Sequence, residues 1–352
     1  MKKKIFLVLS SLGPGGSERV FWLLSQGINK TEYEVSLVML DSSKKFLSRD
    51  IPDVNIIDLN TSRASRSFIK LYRLINREKP YAVFSTGTHI NLLVALVALF
   101  VSIPKVIARE ANIYTEMSEF ATRRGRIFGY GVNLLYKRFN FIICQSEEMK
   151  ESFLNRFEIK QKKLVVIPNP VLSTKNYNAV LTNTGMEKLL MVARLSPEKS
   201  HSRLLQIFSM LPQNYHLTIA GDGVCKDDII AQVKKLNIEE RVSMVGLIAN
   251  VDETVSKHDL FLLTSITEGF PNAALEALAM GVPVISFKVG GVASMIKPGF
   301  NGYIVEQGDI KGFKQSIIKA SSVRWDHEKI REDALARFSL QTVANQYTNL
   351  IC

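Results

Sequence analysis

Two glutamates that lie eight residues apart mark the segment of this sequence best suited to chemistry. Glu268 lies in a predicted loop, and Glu276 lies in a stretch rich in Ala, Leu and Glu that predicts a helix from about Asn272. The start of such a helix offers backbone N–H groups around 270–273 to anions or hydroxyl-rich ligands. Two carboxylates on one rim suit pairs of hydroxyls, as on a ribose and a hexose. Alternatively, both are surface glutamates, and one merely stabilises a helix start.

Two cations form a second group. Arg194 and Lys199 follow a predicted strand at 189–193 and precede a predicted helix near 202–210. The guanidinium suits bidentate binding of a diphosphate, and the ammonium acts as a point charge. An ordinary exposed loop can carry the same pair.

Two further loops of the second half also follow predicted strands and contain candidate ligand-binding residues. Gly221, in an Ala-Gly-Asp-Gly segment, follows one predicted strand, and Leu247 and Ile248 follow another. Because open α/β sheets bind ligands at the carboxyl ends of their strands, these loops and those above predict one rim of one crevice.

A glycine-rich loop, with Gly15 and Gly16, follows the first predicted strand. It imitates the dinucleotide-binding fingerprint, but Glu18 occupies the third glycine position. A carboxylate there repels a pyrophosphate, so an NAD site is disfavoured. The sequence still allows the backbone of this glycine loop to approach another ligand closely.

Short apolar runs alternate with helical patterns along the whole chain, which predicts a doubly wound α/β fold with parallel sheets. A Pro-Asn-Pro segment and a polar stretch after it divide the chain into predicted domains 1–170 and 171–337, with a last helix at 338–352 that packs back on the first domain. Two such domains are expected to face each other across a cleft. The predicted strands are 4–9, 35–40, 55–59, 82–85, 106–109, 141–144, 164–167, 189–193, 216–220, 242–245, 260–264, 284–287 and 302–305.

Composition excludes several classes. With 46% apolar residues among 352, the chain is no disordered polymer, and its length favours two domains. Three scattered cysteines fit neither a disulfide framework nor a metal site, and five histidines without zinc-type spacing predict no metal. The basic start resembles a signal peptide but is too short, and the apolar run 92–103 predicts a buried helix rather than a membrane span. A soluble or peripheral protein in a reducing compartment is expected.

The net charge of +12 is unevenly distributed. Residues 1–170 contain 26 basic and 15 acidic residues, a net of +11, whereas residues 171–352 contain 19 and 18, a net of +1. This asymmetry suggests a polyanionic partner for the first half, although scattered lysines that serve solubility explain it equally well.

Taken together, these motifs resemble the retaining glycosyltransferases of family 4 (GT4), whose GT-B fold has two facing Rossmann-like domains with parallel sheets and an interdomain cleft. The resemblance covers nearly the whole chain. Its most specific element is the E-x7-E pattern from Glu268 to Glu276, and the other motifs occur in the family's order.

The resemblance implies a role for each motif. Arg194 and Lys199 would bind the donor diphosphate, and with Glu268, which would hold the hydroxyls of the transferred sugar, they form the expected catalytic set. Glu276 would bind the ribose. The other expected donor-binding positions are Gly15, Gly16, Gly221, Leu247, Ile248, Gly269, Phe270, Pro271 and Asn272.

The implied reaction is a hexosyl transfer with retention of configuration. The expected donor is a UDP-sugar, used as a substrate, with no cofactor and no metal, because the two cations and helix N-termini neutralise the leaving nucleoside diphosphate. In the front-face mechanism ascribed to such enzymes, the departing phosphate helps to deprotonate the acceptor. No nucleophile–base pair is then needed, unlike in a glycosidase.

The sequence departs from the family pattern at two places. Ser200 follows Lys199 where many relatives have glycine. Where many relatives carry a histidine after the fifth predicted strand, this chain has Arg109, Glu110 and Asn112. These three and His89 are expected on the acceptor side. Contact of Arg109 or Glu110 with the donor stays open, and His89 fits equally well as a histidine at a helix start with no role.

The first domain of GT-B enzymes usually holds the acceptor, and here it carries the charge. Residues 123–139 mix cations with apolar residues and suit an anionic bilayer, although an ordinary helix that buries one face fits as well. The hypothesis is a cytoplasmic enzyme, peripheral at the inner face of the cell membrane, that extends a polyprenyl-diphosphate-linked glycan for capsule or O-antigen. The alternatives are a non-hydrolysing nucleotide-sugar epimerase and a nucleic-acid-binding protein; the latter is disfavoured because aromatic residues do not interleave with the basic ones.

Overall fold

The computed structural model describes residues 2–13, 15–41, 47–61, 64–110, 123–172, 185–248 and 250–352, with the backbone alone at 64–65 and 123–128. The chain divides into two compact units. The first unit consists of Met1–Pro170 together with Leu340–Cys352, and the second consists of Val171–Ser339.

The first unit contains a seven-stranded sheet in which all strands pair in parallel, in the order β3-β2-β1-β4-β5-β6-β7. Its strands are β1 (Lys3–Leu9), β2 (Tyr33–Met39), β3 (Val54–Asp58), β4 (Ala82–Thr86), β5 (Lys105–Arg109), β6 (Phe141–Cys144) and β7 (Leu164–Val166). Its helices before the second unit are α1 (Gly16–Gly27), α2 (Ala64–Glu78), α3 (Thr88–Val97), α4 (Arg123–Leu135) and α5 (Glu147–Arg156), with 3-10 turns at Tyr136–Arg138 and Gln161–Lys163.

The second unit contains a six-stranded parallel sheet in the order β10-β9-β8-β11-β12-β13. Its strands are β8 (Glu187–Val192), β9 (Tyr215–Ala220), β10 (Val242–Gly246), β11 (Leu260–Leu263), β12 (Val284–Phe287) and β13 (Gly302–Val305). Its helices are α6 (His201–Ser209), α7 (Lys226–Lys235), α8 (Val251–Val255), α9 (Asn272–Ala279), α10 (Val292–Met295), α11 (Ile310–Ser321) and α12 (His327–Phe338), with 3-10 turns at Pro197–Lys199 and Glu239–Arg241. The last helix, α13 (Leu340–Asn349), belongs to the first unit.

The fold class predicted from the sequence is confirmed, and each predicted strand has a counterpart whose ends agree within two residues. The prediction succeeds because a parallel strand is covered on both faces and so reads as a continuous apolar run. In β1, Phe6 and Val8 face the core beneath α2, α3 and α5, whereas Ile5 and Leu7 face the core beneath α1 and α13.

The last helix packs against the first sheet. The ring of Tyr347 is fully buried against Phe84, with 5.7 Å between ring centroids. The side chain of Leu340 lies so close to Gly27 that a Cβ there would be 2.6 Å from Leu340 Cγ. Helix α13 therefore covers one face of the sheet.

The apolar run 92–103 corrects one expectation, because it is not wholly a buried helix. Helix α3 ends at Val97, and Leu96, Leu99 and Phe100 are 38%, 51% and 64% exposed. Helix α3 packs on the core, and so do Val101 and Ile103 after it, whereas the side chains of Leu99 and Phe100 are mostly exposed. No helix among the described residues is long and apolar enough to span a membrane.

The position of Tyr347 predicts a large effect on stability. Tyr347→Ala removes a fully buried ring and should destabilise the protein by about 3–5 kcal/mol, as large aromatic-to-alanine changes do. Tyr130→Ala, at a side chain that is 76% exposed, is the control and should change the free energy of unfolding by about 0.5 kcal/mol or less. Thermal denaturation followed by circular dichroism measures both, and equal midpoints would contradict the packing described for α13.

Candidate active site

Apart from Gly15 and Gly16 in the first unit, the predicted donor-binding residues lie at one edge of the second sheet. Because the strands are parallel, β8, β9, β10 and β11 end at the same edge, and the loops that follow them begin there. These loops and the start of α9 carry Arg194, Lys199, Gly221, Leu247, Ile248, Glu268, Gly269, Phe270, Pro271 and Asn272.

An ion pair joins two of these loops. Lys199 Nζ lies 2.6 Å from Glu268 Oε1, and the two side chains are only 18% and 13% exposed. The hydroxyl of Ser265 donates to the same oxygen at 2.7 Å. Short charge-assisted hydrogen bonds away from water are strong, so this pair fixes both side chains. Among the described residues, no hydrogen bond reaches Glu268 Oε2, which leaves that oxygen for another donor.

The backbones of the two loops are also connected. The N–H of Ile266 donates to the carbonyl of Glu198 at 2.8 Å. The Thr264 hydroxyl lies 3.3 Å from the carbonyl oxygens of both Lys199 and Ser200. The Lys199–Glu268 pair is therefore set by the backbone rather than by two flexible side chains alone.

Ser200 adopts the left-handed conformation, with φ 52° and ψ 49°, directly before α6. A non-glycine residue in this conformation costs roughly 1–2 kcal/mol. Glycine would adopt this conformation without that cost, so the serine is accommodated at a cost.

Arg194 does not converge with Lys199 in this structure. Its side chain is 72% exposed, and its Nη2 lies 3.3 Å from Glu198 Oε1, which also accepts from the hydroxyl of Ser196 at 2.6 Å. An exposed pair of this kind contributes little free energy, so a ligand with more charge can replace the carboxylate. The two cations share one loop but are paired with different glutamates.

The E-x7-E segment is less exposed than surface glutamates would be. Glu276, in α9, is 9% exposed, and Glu268 is mostly shielded as described above. The alternative that both are surface carboxylates is therefore wrong. The ring of Phe270 packs against Phe338 at 6.0 Å, so only its backbone faces the edge.

The loop after β9 depends on glycine. Gly221 has φ 144°, and a Cβ at this position would lie 1.9 Å from the carbonyl oxygen of Ala193. Only glycine allows the loops after β8 and β9 to approach so closely. After β10, the Leu247 side chain is 73% exposed at this edge, and its role beside a ligand stays a prediction.

The sequence analysis missed two residues that support the Glu268 loop. Gly291, with φ 78°, leaves room for Phe270, because a Cβ there would be 2.7 Å from its ring. The Gly–Gly pair after a predicted strand is a signal that could have found it. The amide of Gln307 donates to the Ser265 carbonyl at 3.0 Å and accepts from Arg203 at 2.8 Å. Nothing in the sequence indicates this role.

In the first unit, Glu18 occupies the start of α1. A Cβ on Gly15 would lie 2.0 Å from Glu18 Oε2, and the hydroxyl of Ser10 donates to Oε1 at 2.7 Å. The carboxylate thus folds back over the helix N-terminus, where an anion would otherwise bind. That the chain has no NAD site stays a prediction. A donor-binding role of Gly15 and Gly16 stays a prediction.

The residues expected on the acceptor side lie at the carboxyl edge of the first sheet, apart from Asn112, which is outside the described residues. Arg109 is 3% exposed, and its guanidinium donates to Thr86 at 3.0 Å and to Asn169 at 2.6 Å. Burial lowers the pKa of this guanidinium. Arg109 therefore links β4, β5 and the Pro-Asn-Pro segment from within the protein.

Glu110 is completely buried. Its carboxylate accepts hydrogen bonds from Asn91 at 2.9 Å, from Thr88 at 3.1 Å and from the hydroxyl of Tyr136.

His89 is the exposed residue of this group. Partial burial lowers the pKa of its imidazole, and the nearby Glu18 carboxylate acts in the opposite direction.

His201 follows Ser200 at the start of α6 and is 3% exposed. Among the described residues, neither ring nitrogen has a hydrogen-bond partner. Burial, assisted by the charge of Lys199, lowers the pKa of the imidazole from 6.5 to about 4. The ring is therefore neutral near pH 7.

This predicts a pH dependence of stability. Between pH 6.5 and 4 the unfolded chain binds a proton at His201 that the folded protein does not bind, so the free energy of unfolding falls as the pH falls. The loss due to this group is at most about 3 kcal/mol. Urea denaturation of wild type and His201→Leu at pH 7.5 and pH 5 should show a smaller decrease for the variant. Parallel decreases would show that the imidazole titrates alike in both states.

Comparison with known proteins finds similarity to glycosyltransferases over both units. The model for glycosyl transferases group 1 matches residues 173–337, and the model for Glycosyltransferase Family 4 matches residues 14–172. A Campylobacter jejuni enzyme, N-acetylgalactosamine-N,N'-diacetylbacillosaminyl-diphospho-undecaprenol 4-alpha-N-acetylgalactosaminyltransferase, is 27% identical over 305 residues, which is 80% of each chain. The Escherichia coli UDP-Gal:alpha-D-GlcNAc-diphosphoundecaprenol alpha-1,3-galactosyltransferase is 26% identical and covers 73% of this chain and 70% of its own.

Solved structures agree in fold. The apo lipopolysaccharide outer core galactosyltransferase WaaB has a TM-score of 0.78 at 20% identity over 99% of both chains. HepE from Anabaena, in complex with UDP, has a TM-score of 0.82 at 18% identity, also over 99% of both. At these identities the likeness shows the fold, which is GT-B. The two family models together span residues 14–337, and the chain belongs to the family 4 (GT4) glycosyltransferases.

Proposed function

We propose that this glycosyltransferase transfers a hexose, with retention of configuration and without a metal, from a UDP-sugar to a polyprenyl-diphosphate-linked glycan. The product is a bacterial surface polysaccharide such as capsule or O-antigen. The observation that carries this proposal is the shielded Lys199–Glu268 pair at the carboxyl edge of the second sheet. The relatives named above act on diphospho-undecaprenol-linked glycans, and one of them uses a UDP-sugar.

Donor binding requires the ion pair to open. A diphosphate carries more negative charge than one carboxylate, so Lys199 moves to the phosphates and releases Glu268 to the hydroxyls of the sugar. Arg194 leaves its exposed partner Glu198 at little cost and binds the same phosphates. The backbone at 269–272 and the start of α9 add N–H donors. Glu276 then accepts from the ribose, and Leu247 covers the base.

The transfer step needs charge stabilisation more than a protein base. The bond between the anomeric carbon and the UDP oxygen breaks, and a bond to the acceptor hydroxyl oxygen forms on the same face of the sugar. The proton of that hydroxyl passes to the departing phosphate, so atoms and charge balance. Lys199 and Arg194 stabilise the negative charge on the leaving UDP, and fixed cations of this kind do the work that a metal ion does elsewhere.

The site of action follows from the acceptor. A polyprenyl diphosphate is held in a membrane by its hydrocarbon chain, so the enzyme works as a cytoplasmic protein at the inner face of the cell membrane. The first unit, with its net charge of +11 over residues 1–170, holds this acceptor.

The reaction can be tested with a panel of UDP- and GDP-sugars. We expect release of UDP only when a polyprenyl-diphosphate-linked acceptor is present, with unchanged rates in EDTA and the donor's anomeric configuration kept in the product, as NMR would show. Conversion of the donor without an acceptor would instead identify an epimerase. Loss of activity in EDTA, restored by a divalent cation, would refute the metal-free mechanism.

The ion pair itself predicts the effect of two substitutions. Glu268→Gln and Lys199→Ala should each lower turnover by about 10²–10³-fold, as removal of groups that stabilise developing charge does. The matched controls are Glu253→Gln in α8 and Lys257→Ala just after it, which break a 2.7 Å pair whose side chains are both 59% exposed. These controls should keep wild-type turnover. Glu268→Gln and the two controls should unfold within a few degrees of wild type, whereas Lys199→Ala leaves a shielded carboxylate unpaired and should unfold at a lower temperature, so turnover is compared where every variant is folded. Full activity of both site variants would remove the basis of the proposal.

A further inference from the structure

The chain that follows α3 exposes a group of apolar side chains on the first unit. Leu96, Leu99 and Phe100 are 38%, 51% and 64% exposed. The ring of Phe100 stands edge-on against Phe68, with 5.7 Å between ring centroids. The contact with Phe68 therefore holds the exposed ring of Phe100 in place on the surface.

A basic segment contacts the chain that carries this apolar group. Arg138 donates to the carbonyl of Ala98 at 2.7 Å, which places its guanidinium at the C-terminus of α3. Lys163 donates to the carbonyls of Lys137 and Phe139, at 2.8 Å each. The segment at 160–163 therefore lies beside the segment at 137–139.

These cations are crowded. Burial lowers the pKa of Lys163, and the charges of Lys160, Lys162 and Arg138 lower it further. Among the described residues, none of these four or Lys137 has a carboxylate within 4.0 Å. Other cations of the first unit, such as Lys4 and Lys150, do form such pairs. The positive charge near Phe100 is thus not neutralised within the described protein.

Helix α4 adds further exposed apolar residues next to α3. A Cβ on Gly131 would lie 3.8 Å from the Leu92 side chain, so the two helices are in contact there. Tyr130 and Leu134, one turn apart on α4, are 76% and 70% exposed. The basic segment 123–139 that the sequence analysis singled out therefore does not bury all of its apolar residues.

We propose that Leu96, Leu99 and Phe100, with Lys137, Arg138, Lys160, Lys162 and Lys163, form a surface that docks on an anionic lipid bilayer; we call it the α3-end surface. Apolar side chains that enter the interface, beside cations that bind lipid phosphates, are the combination that holds peripheral proteins on such membranes. The inference rests on the proposed function, because it supplies the contact by which an enzyme with a lipid-linked acceptor reaches its membrane.

A bilayer fits this surface better than nucleic acid does. Binding of nucleic acid is dominated by charge, whereas here the exposed aliphatic side chains of Leu96 and Leu99 belong to the segment whose Ala98 carbonyl binds Arg138. The surface is also separate from the carboxyl edge. Helix α3 begins at that edge with Thr88, and its ten residues span about 15 Å to the other end.

The test is sedimentation of the full-length protein with vesicles. Wild type should bind vesicles that contain phosphatidylglycerol, bind more weakly as salt rises, and fail to bind pure phosphatidylcholine. Lys160→Glu with Lys162→Glu should weaken binding at least about 20-fold, since each cation near such a surface contributes about fivefold. Leu99→Ser with Phe100→Ser should weaken binding in low and high salt alike. The matched controls in the second unit, Lys234→Glu with Lys235→Glu and Ile230→Ser, should bind as wild type does.

Activity on a water-soluble, short-chain acceptor separates this inference from the proposed function. The α3-end variants should keep wild-type turnover there and lose it only on acceptor embedded in vesicles. Wild type that is active on the soluble acceptor but does not bind anionic vesicles would overturn the surface and leave the function standing. The surface would also be overturned if the variants bound vesicles normally and instead lost a DNA-binding activity that wild type has. The same holds if they bound vesicles normally and differed from wild type only in oligomeric state. No transfer by wild type to any acceptor would overturn the proposed function.

Discussion

A lysine and a glutamate with little access to water must find opposite charge, and this requirement organises the second unit. Lys199 and Glu268 satisfy each other at 2.6 Å, although 69 residues separate them in the chain. The pairing holds the loop after β8 against the loop after β11. It also keeps both groups ready, because a ligand that brings a diphosphate and hydroxyls can replace each partner with a better one. In the reaction proposed above, both side chains therefore exchange this partner for the donor.

The charged side chains at the carboxyl edges of the two sheets have different kinds of partner. At the second sheet, Lys199 and Glu268 are paired across two loops, whereas Arg194 and Glu198 are paired within one loop by an exposed, weak contact. At the first sheet, Arg109 and Glu110 are buried and bound mostly by neutral groups such as Thr86, Asn169 and Asn91. Buried charges held in this way are costly to move. The edge of the first sheet is therefore fixed, whereas that of the second is prepared for exchange of partners.

Much of this could be predicted from the sequence, and the reasons are physical. The parallel strands are visible because both faces are buried, and the start of α9 is visible because its composition changes at Asn272. The pairing of Lys199 with Glu268 was not predicted, because it joins loops that are distant in the chain. The inward orientation of Glu110 and the support that Gln307 gives to the Glu268 loop depend on tertiary contacts that leave no local pattern. The exposed end of the 92–103 run was missed because an apolar sequence alone does not show which side chains leave the core.

The account depends on competition between Glu268 and the donor diphosphate for Lys199, and UDP affinity measured by isothermal titration calorimetry tests this most directly. Glu268→Gln should bind UDP at least as tightly as wild type, because the lysine loses its competing carboxylate. Lys199→Ala should bind UDP about 10-fold or more weakly, as the loss of a charge-assisted contact with a phosphate implies. Equal UDP affinities in wild type and both variants would contradict the claim that the ion pair opens to bind the donor.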